Sequence, residues 1–265
     1  MAPNTKSHGE RVAIVTGAAQ GVGCLCSLAL ARAGYRVIAT DVQELAHLAQ
    51  ECTAQNLEMD VHVGDVSSEA FVKKFHEAVL AKYQRVDVLV NNAGISLIES
   101  AETTTSVQWQ RVMDVNVFGP FLMSREFGQS MLKQRRGAII NVASVAGISG
   151  IIHRVAYNSS KHALVGMTRT LAAEWGGRGV RVNAVAPGWI KTEMDYKDQG
   201  SGAYSDDDIK NRVAMARFAQ GQEVASAIEF LADSERASFI NGVVLPVDGG
   251  WSGDGSWDSL RIKTR

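Results

Sequence analysis

Short runs of apolar, largely β-branched residues recur along the chain, and each is followed by a longer stretch in which apolar positions return every three or four residues. The first run covers 12–16 and leads into helical spacing over 21–33; further runs lie at 36–40, 59–63, 86–90, 138–142, 180–185 and 243–247. Stretches of about ten or more residues with helical periodicity separate most of these runs, which is enough for a crossover helix between parallel strands. The pattern predicts an α/β fold in one domain, a doubly wound, seven-stranded parallel sheet with helices on both faces. The domain spans 11–250 in this reading, after a flexible N-terminus at 1–10 and before a C-terminal tail at 251–265.

One internal segment departs from the rhythm. Residues 189–215 contain Gly200, Gly202 and the triplet Asp206, Asp207 and Asp208, and they begin just beyond the sixth strand. Open parallel sheets bind ligands beyond the carboxyl ends of their strands, so this segment is a candidate substrate lid. The acidic triplet reads as a solvated helix start.

At 265 residues and 46% hydrophobic, the chain can bury a sizeable core. A formal charge of −1, with no basic block, gives no footprint for nucleic acid or an anionic membrane and favours a small-molecule partner. Cys24, Cys26 and Cys52 are too few for a disulfide framework and read as buried thiols. The histidines His8, His47, His62, His76, His153 and His162 show no ligand spacing, so no metal site is expected. The first ten residues lack the apolar core of a secretory leader, and no later window reaches membrane-spanning length, which predicts a soluble, cytoplasmic protein.

The turn after the first strand reads Thr16-Gly17-Ala18-Ala19-Gln20-Gly21-Val22-Gly23. Gly17 permits the tight turn, Gly21 lets backbone approach a pyrophosphate, and Gly23 allows a helix to pack closely on the sheet; the helix N-terminus then offers unpaired amides to anionic oxygens. Gln20 and the Val22 amide lie against the cofactor in this Rossmann-type arrangement. Asp41 closes the second strand, where a carboxylate accepts hydrogen bonds from adenosine ribose hydroxyls and repels a 2′-phosphate. Neither Gln20 nor Val42 supplies a neutralising cation, so NAD is expected over NADP.

Tyr157 and Lys161, four residues apart in a helical run, place a phenol and an ammonium on one face. A phenol of pKa about 10 needs about 4 kcal/mol to titrate ~3 units lower. A cation ~5 Å away at an effective dielectric of ~20 contributes roughly 3 kcal/mol, so Lys161 is expected to make Tyr157 a usable base. Ser144, at the end of an apolar strand, would hydrogen-bond the reacting oxygen. A hydrolase built on Ser144 and His153 is disfavoured, because no Gly-x-Ser-x-Gly elbow surrounds the serine.

With these motifs the chain resembles the short-chain dehydrogenase/reductase family from Arg11 to Gly250. The resemblance also rests on Asp65-Val66, Asn91-Asn92-Ala93-Gly94, Asn116 and Pro187-Gly188-Trp189-Ile190-Lys191-Thr192. It implies that Asp65 and Val66 contact adenine, that Asn92 and Gly94 pass beneath adenosine, and that Ile190 and Thr192 hold the nicotinamide. It further implies that Lys161 holds the nicotinamide ribose, that Asn116 anchors a water linking that lysine to solvent, and that the assembly is a homotetramer.

The activity implied is hydride exchange between NAD and a secondary alcohol or carbonyl, with Tyr157 as general acid or base. A sugar, polyol or other small hydroxy compound is ranked first and a larger apolar ketone second; a non-catalytic NAD(H)-binding regulator on the same fold is the other class. Ala146, Ile151, Ile152, His153, Trp189, Met194 and Tyr204 are expected near the substrate, where His153 and Arg154 offer hydrogen bonds to a polyhydroxylated or anionic compound, Arg154 reading equally as a solvent-facing residue at a helix start. The tail, with Trp251, Trp257, Leu260 and Ile262, is too apolar to stay free in water and is expected to pack at a subunit interface.

Overall fold

The computed structural model describes residues 11–200, 202, 204–257, 260 and 261. The expected N-terminal segment and Ile262 lie outside them. In chain order the elements are β1 (Arg11–Thr16), α1 (Gly21–Arg32), β2 (Tyr35–Asp41), α2 (Ala46–Ala54), β3 (Met59–Val63), α3 (Glu69–Tyr83), β4 (Val88–Asn91) and α4 (Ser106–Met113). They continue with α5 (Gly119–Gln134), β5 (Gly137–Val142), α6 (Val155–Trp175), β6 (Val180–Pro187), α7 (Glu193–Gln199), α8 (Asp206–Arg212), α9 (Gly221–Ala232) and β7 (Val244–Val247).

The strands form one parallel sheet in the order β3-β2-β1-β4-β5-β6-β7. Alternation along β1 shows how both faces are covered: Ala13 and Val15 join a core with α1 and α9, while Val12 and Ile14 join one with α3 and α5. The edge strand β3 is less protected, with Val61 and Val63 exposed, so its apolar run reflects β-propensity more than burial. The chain order reverses between β1 and β4, whose carboxyl ends therefore diverge into a crevice.

The segment expected as a lid carries two short helices. Thr192 caps α7 by accepting from the Asp195 amide, and Ser205 with Asp208 forms a capping box on α8, so the acidic triplet is a helix start. Lys191 joins the two helices through Asp195 at 3.1 Å and through Asp206. The tail turns back at Trp251, whose ring centroid lies 5.2 Å from that of Trp189, while Trp257 and Leu260 remain exposed. Among the described residues no helix is long and apolar enough to cross a membrane.

Candidate active site

The crevice at the switch point is lined by residues from every loop that follows a strand from β1 to β6. Its first wall is the glycine turn. Gly17 has φ +65° and packs so tightly that an added Cβ would lie 2.7 Å from Ala93 Cα, and Gly21 has φ +56°. A Cβ on Gly23 would come within 2.0 Å of the Gly17 carbonyl oxygen, so the start of α1 can meet the turn only without a side chain there. Gln20 and Val22 line the crevice beside the turn, and Gln20 caps α1 with no side-chain bond. Asn92 secures this geometry by donating to the carbonyls of Thr16 at 3.0 Å and Gly17 at 2.9 Å. Thr16 answers with its hydroxyl, which accepts from the amides of Asn92 and Ala93, both at 3.0 Å.

Asp41 is 7% exposed at the end of β2 and accepts from the Ala19 amide at 2.9 Å and the Gln43 amide at 2.9 Å. These bonds fix the carboxylate at the crevice rim beside Val42 and Gln43, neither of them cationic. Asp65 and Val66 line the same end. The Asp65 carboxylate accepts from the Ser67 amide at 2.9 Å and pairs with Arg111 at 3.3 Å, and burial is outweighed by these partners, which hold its pKa below the ordinary value. Arg111 is a crevice residue the sequence reading missed; it comes from α4, far along the chain from the motif it joins.

At the other end, β5 delivers Ser144 and α6 delivers Tyr157 and Lys161 to one wall. Ser144 accepts from the Ala146 amide at 3.1 Å and its hydroxyl bonds the Tyr157 phenol. Burial pushes the Tyr157 pKa up from its ordinary value, opposed by the Ser144 hydrogen bond and then by the charge of Arg154. This corrects the electrostatic expectation. The Lys161 ammonium donates to the Val142 carbonyl at 2.8 Å and lies 5.6 Å from the Tyr157 ring centroid, and burial depresses its own pKa to about 8. Arg154, whose guanidinium carbon lies 6.0 Å from the ring centroid, is a second cation beside the phenol and opposes the effect of burial without overcoming it.

Asn116 is fully buried in a π-helical turn, Asp114–Phe118, between α4 and α5. Its amide donates to Ile95 O at 2.9 Å and Ser160 Oγ at 3.0 Å, and its oxygen accepts from the Ile95 amide at 2.8 Å. Both amide hydrogens are therefore committed to pinning the loop after β4 onto α6. Gly94 stands between this group and the lysine: an added Cβ there would touch Asn116 Oδ1 at 3.3 Å and Lys161 Nζ at 3.5 Å.

Of the residues expected at the substrate, Ala146, Ile151, Trp189, Met194 and Tyr204 line the crevice, as do Ile190 and Thr192. His153 and Ile152 do not; both are exposed, and His153 adopts φ +57°. That left-handed residue turns the chain just before α6, so Arg154 enters the crevice in place of the histidine. Asp195 and Asp198 of α7 join it there, and no local pattern in the sequence singled them out.

Residues 17–252 match the family model described as enoyl-(acyl carrier protein) reductase. The D-threitol dehydrogenase of Mycolicibacterium smegmatis is 40% identical over 248 residues, covering 91% of this chain and 93% of its own. This chain is a member of the short-chain dehydrogenase/reductase family. The 3-oxoacyl-[acyl-carrier-protein] reductase FabG of Thermotoga maritima is 39% identical, with coverage of 91% and 97%. A crystal structure of a variant actinorhodin polyketide ketoreductase with NADPH superposes with a TM-score of 0.88 at 32% identity, covering 92% of this chain and 98% of that one. Membership in the short-chain dehydrogenase/reductase family makes the chain an oxidoreductase that uses a nicotinamide dinucleotide. The glycine turn, the N-terminus of α1 and the carboxylate at the end of β2 fit such a group.

Proposed function

We propose that the chain is an NAD-dependent dehydrogenase acting on a secondary alcohol of a sugar or polyol, with Tyr157 as general acid and base. Asp41 carries the choice of NAD: its fixed carboxylate suits ribose hydroxyls, and a 2′-phosphate would meet a negative charge with Val42 and Gln43 beside it. When bound, the nicotinamide ring supplies the two-electron acceptor or donor. Tyr157 takes the hydroxyl proton in oxidation and returns it in reduction, while Ser144 hydrogen-bonds the reacting oxygen as its charge changes. Lys161 would hold the nicotinamide ribose with the hydrogens it does not give to Val142, and Asn116 would anchor a water linking that lysine to solvent. Asp65, Val66, Asn92 and Gly94 support adenosine, Ile190 and Thr192 the nicotinamide, and 189–215 closes over the substrate as a lid.

A homotetramer belongs to the same proposal; the exposed Val107, Phe118 and Phe121 on and beside α4 and α5 are apolar surface such an assembly would cover. The D-threitol dehydrogenase relative supports a polyol. The FabG relative favours a second reading, reduction of a 3-oxoacyl thioester. Initial rates for a panel of alditols, sugars and a 3-oxoacyl thioester, each with both dinucleotides, test the choice. Faster turnover of an alditol with NAD is expected; a thioester preferred with NADPH would replace this reading with the second.

A further inference from the structure

Resting on the reading as a polyol dehydrogenase, we propose that Arg154 and Asp198 form a paired donor and acceptor that selects substrates presenting a neutral hydroxyl to it in place of a carboxylate or a hydrocarbon group. Arg154 Nη1 donates to Asp198 Oδ2 at 2.8 Å and to Ser96 Oγ at 2.8 Å, and Ser96 Oγ donates to the same carboxylate oxygen at 3.0 Å. The triangle is well covered, with side-chain exposures of 11% for Arg154 and 12% for Asp198. It ties α6 and the loop after β4 to α7. The guanidinium carbon lies 6.0 Å from the Tyr157 ring centroid and 6.0 Å from that of Tyr204, so Arg154 bridges the proton-transferring ring and the segment that carries Asp198 and Tyr204.

A hydroxyl both donates and accepts, so it can accept from the guanidinium and donate to the carboxylate at once. A carboxylate substituent only accepts. It would bring a second negative charge to Asp198, with Asp195 lining the same crevice, and would have to compete for an arginine already paired. A hydrocarbon substituent would bury against charged groups and satisfy neither. The pair therefore discriminates by hydrogen-bonding character as well as by size.

The test compares kcat/KM with NAD for a four-carbon alditol, the aldonate of the same chain length, and butan-2-ol. The wild-type protein is expected to prefer the alditol to each of the others by at least about tenfold. Asp198→Asn keeps the shape and removes the charge, and should raise the aldonate-to-alditol ratio by about tenfold or more, a change that mere loosening of the lid would not produce. Calorimetric binding of the alditol and the aldonate to Tyr157→Phe with NAD gives the same comparison without turnover and without touching α7, and should rank them in the same order. Alditol turnover with no preference over the aldonate, or a ratio unmoved in a folded Asp198→Asn, overturns the inference and leaves the polyol reading standing. Tight NAD binding with no turnover of any alcohol or sugar overturns both.

Discussion

Lys161 is 4% exposed, and the cost of charging it there gives the protein a pH signature. Its pKa falls from the ordinary 10.5 to about 8 in the fold, so the folded state favours the neutral amine. That contribution to stability is complete above pH 10.5, is lost as the pH falls toward 8 and is constant below. The denaturant-unfolding free energy of the wild type relative to Lys161→Met should therefore rise between pH 8 and 10.5, by on the order of 3 kcal/mol. A flat difference would mean that the ammonium is stabilised in place. For Tyr157, whose pKa burial raises, alcohol oxidation should climb with pH and carbonyl reduction should fall. Tyr157→Phe should lower turnover by about 10²- to 10⁴-fold while fluorescence titration still detects NADH binding. Asp41→Ala should narrow the NAD preference measured as a kcat/KM ratio. Tyr157, Lys161, Ser144 and Asp41 were legible because their spacing to strand ends is local. Arg154 was not ranked above His153, since only the left-handed conformation of His153 decides which of the two enters the crevice.

Between elements, a chain of buried amides and hydroxyls crosses from the sheet to its helices. Asn91 donates to Ser124 Oγ at 3.1 Å and to Asn141 Oδ1 at 2.9 Å, and Asn141 donates to Thr168 Oγ1 at 2.9 Å. All four residues are at most 2% exposed. Asn141→Leu removes the central member and leaves its neighbours short of partners, which should cost about 1–3 kcal/mol in urea unfolding. Gly23→Ala drives a methyl group into the Gly17 carbonyl and should destabilise by about 1–3 kcal/mol and weaken NAD binding in the same titration. Strands and crossover helices were readable in the sequence because apolar residues repeat with the period of each element. The π-helical turn at Asn116 was not, since its register depends on the amide reaching Ile95 and Ser160.

At the scale of the molecule, static light scattering should give about four times the 28.5 kDa chain mass if the exposed faces of α4 and α5 mediate assembly. A species of one chain mass would exclude the tetramer. Ending the chain after Gly250 removes the Trp251 ring from Trp189 at the crevice wall, and should raise the substrate KM and lower Tm in a thermal melt. The amino-acid sequence by itself determined the parallel α/β architecture, the glycine turn and the tyrosine-lysine pair, because each follows from periodicity or from spacing within one strand-to-helix unit. Only the tertiary structure decided that Arg154 meets Asp198 and Ser96, that Asp65 meets Arg111, and that Asn92 clamps the glycine turn. Those contacts join residues distant along the chain, and their geometry exists only once the sheet order has brought separate loops to one crevice.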